Sequence, residues 1–164
     1  MIRFAVITIS DSASRGERTD LSGPALITEI LKNNWIVGYQ RIIPDELEII
    51  QKLLRSVCHK ELADIIFTTG GTGFSKRDVT PEATRKVIEK ETPGIVELMR
   101  SESYKTNPHA MLSRSIAGIC KNTLIINLPG SPKGAVESFR IIIPLLPHAI
   151  NLINGVSTDH QHKI

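Results

Sequence analysis

Long apolar runs are absent from this sequence. The best candidate, Ile141 to Ile153, is interrupted by Pro144, Pro147, His148 and Asn151 and is too short to span a bilayer. Met1 leads straight into a strand-like run, which leaves no room for a signal peptide. Charge of one sign is scarce too: the formal net charge is +3, and basic and acidic residues alternate along the chain without clustering. That pattern excludes a nucleic-acid surface as the default reading. Cysteine is nearly missing, since Cys58 and Cys120 sit far apart on apolar segments and read as buried free thiols. These absences point to a cytoplasmic domain with no nucleic-acid or membrane partner.

What is present suits one compact domain. With 164 residues, 41% of them apolar and 23% charged, the chain is neither disordered nor membranous. A single domain over residues 1–164 is expected, with a short disordered tail from about residue 156 that holds His160 and His162.

Along the chain, strand-like and helix-like segments alternate. Phe4 to Ser10 reads as a strand that runs into a polar loop, SDSASRGERTD. Ser22-Gly23-Pro24 opens a helix to about Asn33, with Ser22 as its N-cap. A strand over Trp35 to Ile43 stops at Pro44-Asp45. Asp45 is placed to cap the amphipathic helix Glu46 to Lys60. Pro81 to Glu91 and Pro93 to Tyr104 read as helices. Ala110 to Ile119 and Thr123 to Leu128 read as strands, and a helix from Ala135 to Asn154 should divide at Pro144 and Pro147. This alternation predicts an α/β fold: a mainly parallel, mixed sheet with helices on both faces in a three-layer α/β/α sandwich.

Asp64 to Thr68 is an apolar run of the kind that forms a buried parallel strand, and it breaks into Thr69-Gly70-Gly71-Thr72-Gly73. Glycines bring backbone N–H groups close to a ligand, and successive inward N–H groups form a cradle for phosphate. Asp78 and a helix start at Thr80-Pro81-Glu82 follow. Walker A and Rossmann fingerprints are both absent, which takes most of the weight from the ordinary kinase and dehydrogenase readings. Four polar loops follow strands: those at Ser10, Asp45, Thr69 and Asn127. In open α/β sheets ligands bind at that edge. Carboxylates beside polyphosphate suggest a bridging Mg²⁺, held by Asp45 and Asp78. Lys76, Arg77, Arg114 and Lys133 offer positive charge, though each by itself reads better as a solvated surface residue.

TTGGTGFSKRDVTPEAT, TPGIVELMRSES, PHAMLSRSIAGI and INLPGSPKGAVESF together resemble the molybdopterin adenylyltransferases, the MogA and gephyrin G-domain family, from Phe4 to about Asn154. The resemblance implies transfer of AMP from ATP to molybdopterin with release of pyrophosphate, dependence on Mg²⁺, a homotrimer, and contact with other proteins of molybdenum cofactor synthesis. It implies Asp45 and Asp78 as the essential pair. Ser10, Asp20, Ser22, Gly23, Thr69, Gly70, Gly71, Thr72, Gly73, Ser113, Asn127, Pro129, Gly130 and Ser131 are implied as substrate- or nucleotide-binding residues, with Ser113 toward the pterin. A non-catalytic molybdopterin-binding protein of the same fold is the alternative, and another phosphate-binding α/β enzyme a third reading.

Overall fold

The computed structural model describes residues 1–156, so the expected tail with His160 and His162 lies outside the described residues. In chain order the elements are β1 (Arg3–Ile9), α1 (Asp11–Ser14), α2 (Ser22–Lys32), β2 (Ile36–Ile43), α3 (Leu47–His59), β3 (Ile65–Thr69), α4 (Thr80–Arg85), β4 (Lys90–Glu91) and α5 (Pro93–Tyr104). A 3₁₀ turn at Pro108–Leu112 leads to β5 (Ala117–Cys120) and β6 (Thr123–Leu128). The chain then forms α6 (Pro132–Ile142), a 3₁₀ link at Ile143–Leu145, and α7 (Leu146–Ile153).

The strands form one sheet in the order β2-β1-β3-β6-β5-β4. β2, β1, β3 and β6 run parallel, whereas β5 pairs antiparallel with both β6 and β4. The mixed sheet follows from connection length. The parallel pairs are joined through helices, but Lys121 and Asn122 leave room only for a hairpin between β5 and β6, and Lys121 adopts φ +53 there.

Side chains alternate between the two faces with the period of two that a strand imposes. Phe4, Val6, Ile65, Phe67, Leu124 and Ile126 point to one side, where α2, α5, α6 and α7 cover them. Ala5, Ile7, Ile9, Ile66 and Ile125 point to the other, under α3 and α4. An aromatic cluster joins strands to helix on the first side: Phe4 stacks on Trp35 at 5.2 Å, and Phe67 meets Phe139 edge-on at 5.6 Å. Burying each such side chain contributes roughly 1.5–3 kcal/mol. Cys58 and Cys120 are buried free thiols, and burial pushes Cys58 up to about 12, so it stays a neutral thiol.

Several sequence expectations are corrected by tertiary contacts. The polar segment after β1 holds a helical turn, capped by Ser10, whose hydroxyl accepts from the Ala13 N–H. Ser22 is the first residue of α2 and not its cap. The helix expected to Glu91 stops at Arg85, because Lys90–Glu91 adds an edge strand against β5. The strand expected from Ala110 is a 3₁₀ turn that gives way to sheet only at Ala117. The C-terminal helix divides as its prolines require. Pro132–Ile153, taken as one run of 22 residues, is long and apolar enough to cross a membrane, contrary to the expectation from the shorter segment. One face of it, carrying Phe139, Ile142, Leu146 and Ile150, is buried against the sheet.

Gly70 carries the strictest backbone requirement. Its φ is +106, and a Cβ there would run into the Ile9 carbonyl of the neighbouring strand. Gly70→Ala is expected to cost on the order of 3 kcal/mol, read as a lowered urea midpoint at unchanged m-value.

Candidate active site

The parallel strands β2, β1, β3 and β6 all end at the same edge, so the loops at Asp45, Ser10, Thr69 and Asn127 converge there. Strand order reverses between β1 and β3, since the chain passes from β1 out to β2 and returns on the other side. A crevice opens at such a switch point. Two pockets occupy this edge. The larger, about 410 Å³, lies between the glycine loop, α5 and the start of α6. The smaller, about 230 Å³, lies between the β1 loop, Asp45 and the glycine loop. They share Gly71, Asp78 and Gly130, which makes them two lobes of one cleft meeting beside a carboxylate.

The glycine loop is folded by side chains from three directions. Thr80 donates its hydroxyl to the Gly70 carbonyl at 2.9 Å and its N–H to the Gly71 carbonyl at 3.1 Å. Thr69 donates to the Pro129 carbonyl at 2.7 Å, joining the loops after β3 and β6. From the third side Arg114 donates to the carbonyls of Gly73 and Asp78, at 2.7 and 2.6 Å, and pairs with Glu82. Its own N–H reaches the Thr72 carbonyl at 3.0 Å. Arg114 is therefore a clamp on the segment that carries Asp78, and the reading of it as solvated surface is corrected.

Asp45 is also reassigned. The N-cap of α3 is Glu46, without a side-chain hydrogen bond. Asp45 instead turns toward β1: its carboxylate accepts from the Asp11 N–H at 2.8 Å, and its own N–H donates to the Asp11 carboxylate at 3.1 Å. Arg77 grips Asp11 with two bonds of 3.0 Å and reaches Glu46 at 2.9 Å, so the loops after β1, β2 and β3 are tied together. The Arg77 guanidinium holds Asp11 below the usual carboxylate range. Asp45 moves the other way. Burial raises it first, and the charges of Asp11 and Asp78 add to that.

Neither Asp45 nor Asp78 is in an ion pair among the described residues. Asp78 accepts from the Ser75 N–H at 2.8 Å, leaving capacity for a further ligand. The missing Cβ of Gly71 keeps space open beside Asp45, since one would sit 3.0 Å from Oδ1. Two carboxylates of like charge, without a cation, beside an open phosphate-type loop form a donor set that fits Mg²⁺.

Of the other residues singled out in the sequence, Ser10, Asp20, Ser22, Thr69 and Gly70 line the smaller pocket. Thr72, Gly73, Ser113, Pro129 and Ser131 line the larger. Gly23 and Asn127 line neither. Asn127 is wholly buried and donates to the Thr68 and Thr84 hydroxyls at 2.9 Å, while the Ile116 N–H reaches it at 3.3 Å. It braces the site from beneath. Asp20 stands in the pocket wall with its carboxylate already engaged by the Thr8 hydroxyl and by the Ser22 and Gly23 N–H groups. Gly23 leaves it that room, because a Cβ would lie 2.5 Å from Asp20 Oδ2.

Sequence reasoning missed the α5 wall of the larger pocket: Val96, Met99, Arg100 and Ser103. Their helical spacing is visible in the sequence, but it equally describes a core face. Arg100 donates to the Ser113 and Ser115 carbonyls at 3.4 and 3.1 Å, and the Ser113 and Ser115 hydroxyls lie 2.8 Å apart.

Residues 5–148 match the family described as the probable molybdopterin binding domain. The chain belongs to that family. It is 46% identical over 157 residues to the molybdopterin adenylyltransferase of Helicobacter pylori strain 26695, covering 94% of this chain and 89% of that protein. The molybdenum cofactor synthesis protein cinnamon of Drosophila melanogaster is 49% identical across 93% of this chain, which spans only 26% of the fly protein. The crystal structure of the molybdopterin biosynthesis enzyme MoaB from Thermus thermophilus superposes with a TM-score of 0.89 at 45% identity, covering 94% of this chain and 98% of that one.

The raised Asp45 has a consequence for stability. Its folded form holds its proton to higher pH than the unfolded chain, whose aspartates titrate near about 3.9. Stability is therefore lost as pH rises from that value through the raised folded one, and the loss persists at neutral pH. Asp45→Asn, which keeps an acceptor for the Asp11 N–H, is expected to melt at or above wild type at pH 7. Near pH 3 the two should converge. A lower melting temperature for the variant at pH 7 would contradict this assignment.

Proposed function

We propose that the protein is a molybdopterin adenylyltransferase, transferring AMP from ATP to the terminal phosphate of molybdopterin and releasing pyrophosphate. The observation that carries this reading is the two-lobed cleft, whose lobes meet at Gly71, Asp78 and Gly130. Adenylyl transfer needs two substrates with their phosphates in contact, and a cleft pinched at a phosphate-type loop provides that arrangement. The name of the H. pylori protein supports the same reaction, and that of cinnamon supports a place in molybdenum cofactor synthesis.

The larger lobe, with the Ser113–Ser115 hydroxyl pair and the apolar Val96 and Met99, suits a pterin that needs both polar and flat apolar contacts. The smaller lobe suits the nucleotide. Gly70 and Gly71 let backbone approach the phosphates, and the Ser10 and Thr69 sides close the wall. The terminal phosphate of molybdopterin is already ionised at neutral pH, so its oxygen attacks the α-phosphorus without an enzyme base.

Asp45 and Asp78 are the residues that would hold Mg²⁺, and the ion would supply positive charge to polyphosphate oxygens as charge moves to the leaving group. The two carboxylates orient substrates across the junction of the lobes, and neither donates a proton in this scheme. Arg77 and Arg114 keep them in place, the first through Asp11 and the second through the Asp78 carbonyl. ATP as co-substrate is consistent with the cytoplasmic location expected from the sequence. Handing the product onward would bring in other proteins of molybdenum cofactor synthesis.

Asp78→Asn and Asp45→Asn are expected to lower molybdopterin-dependent pyrophosphate release by at least about a hundredfold, the scale of losing one electrostatic group at the transition state. Molybdopterin affinity should persist in both. Normal turnover by both variants with Mg²⁺ and ATP would sink the assignment. Wild type that binds molybdopterin yet releases no pyrophosphate would favour a non-catalytic pterin-binding protein instead. A homotrimer is part of the same proposal. Leu21, Leu31, Leu145 and Leu152 are exposed and would be available for contacts between subunits. Light scattering should return three times the chain mass of 18.1 kDa, and a monomeric mass would reject the trimer.

A further inference from the structure

The loop after β1 carries two arginines, and the fold treats them differently. Arg15 is neutralised locally, donating to the Glu17 carboxylate at 2.7 and 2.9 Å. Arg18 has no carboxylate partner among the described residues, and it lines the smaller lobe of the cleft. The charged residues of that lobe are Asp20, Asp45, Asp78 and Arg18. Arg18 is thus the one cation, among the described residues, facing a lobe that is otherwise acidic.

Its position is built by the backbone. The Ser10 hydroxyl caps α1, and Gly16 at φ +74 turns the chain back over that helix. The N–H groups of Glu17 and Arg18 then both donate to the Ser12 carbonyl, at 2.9 and 3.3 Å. Asp20, the acid nearest in sequence on the pocket side, is occupied by Thr8, Ser22 and Gly23, so it does not draw Arg18 away.

We propose that Arg18 binds the polyphosphate of the nucleotide and neutralises the charge that develops on the departing pyrophosphate. The proposal rests on the adenylyl-transfer reading of the cleft. In that step a molybdopterin phosphate oxygen bonds to the α-phosphorus of ATP. The bond from that phosphorus to the oxygen bridging to the β-phosphate breaks, and its electron pair leaves with pyrophosphate. Negative charge grows on the leaving group, so a cation already in place there stabilises the transition state more than the ground state. A guanidinium suits this role because its planar array of donors matches phosphate oxygens in pairs.

The test compares Arg18→Ala and Arg18→Lys with Lys60→Ala. Lys60 ends α3 at the opposite edge of the sheet, so its removal changes net charge equally without touching the cleft. Calorimetric affinities for ATP, pyrophosphate and molybdopterin are measured beside pyrophosphate release. Arg18→Ala should weaken ATP and pyrophosphate binding roughly tenfold, the loss of one charge-assisted contact, and lower kcat/KM for ATP further. Molybdopterin affinity should stay at the wild-type value, Arg18→Lys should recover part of the loss, and Lys60→Ala should match wild type. Wild-type ATP and pyrophosphate affinities in Arg18→Ala overturn the proposal, and so does an equal loss of molybdopterin affinity. If ATP binding depends on Arg18 while wild type releases no pyrophosphate with molybdopterin, the contact stands and the transferase reading fails.

Discussion

Like charges held together at one edge of a parallel sheet are the constraint on which the rest of this structure depends. Asp45 and Asp78 come from different loops, share a small cavity and have no ion-pair partner among the described residues. Left to themselves they would repel and swing into solvent. Burial of Asp45 and the nearby charge of Asp11 make its ionised form costlier still. Such an arrangement persists only when surrounding contacts over-determine it, and here they do.

Two arginines and a set of threonines hold it. Arg77 joins the β3 loop to Asp11 and Glu46, and Asp11 in turn exchanges hydrogen bonds with Asp45. Arg114 binds carbonyls at both ends of the segment that carries Asp78. Thr69 and Thr80 fasten the glycines to the neighbouring loop and to α4. The Thr69, Thr80 and Arg114 contacts each satisfy a backbone carbonyl of these loops, and together they fix the glycine-rich segment in place. The arginines nearest the carboxylates are therefore committed to the frame, which leaves Arg18 as the cation of the smaller lobe, without a carboxylate partner among the described residues.

Beneath the loops the sheet works as a platform. Asn127 spends its amide on Thr68, Thr84 and the Ile116 backbone, locking β6 to β3 and α4 under the cleft. The aromatic cluster of Phe4, Trp35, Phe67 and Phe139 fixes the same strands to the helices on the other side of the sheet. Rigid strands with adaptable loops at their carboxyl ends are how this class of fold places chemistry.

By itself the sequence determined the alternation of strands and helices, the break at Pro144, the buried thiols, and the grouping of polar loops at strand ends. These depend on periodicity and on local backbone chemistry, which neighbouring residues settle among themselves. The motifs from Thr68 to Thr84 and from Ile126 to Phe139 also made the family legible before any coordinates. Only the tertiary structure decided that Asp45 faces Asp11 and does not cap α3, that Arg114 is a clamp, that Asn127 is a buried brace, and that β4 forms where a helix was expected. In each case partners more than ten residues away along the chain compete with a local option, and the winner depends on which groups the sheet brings within hydrogen-bonding distance.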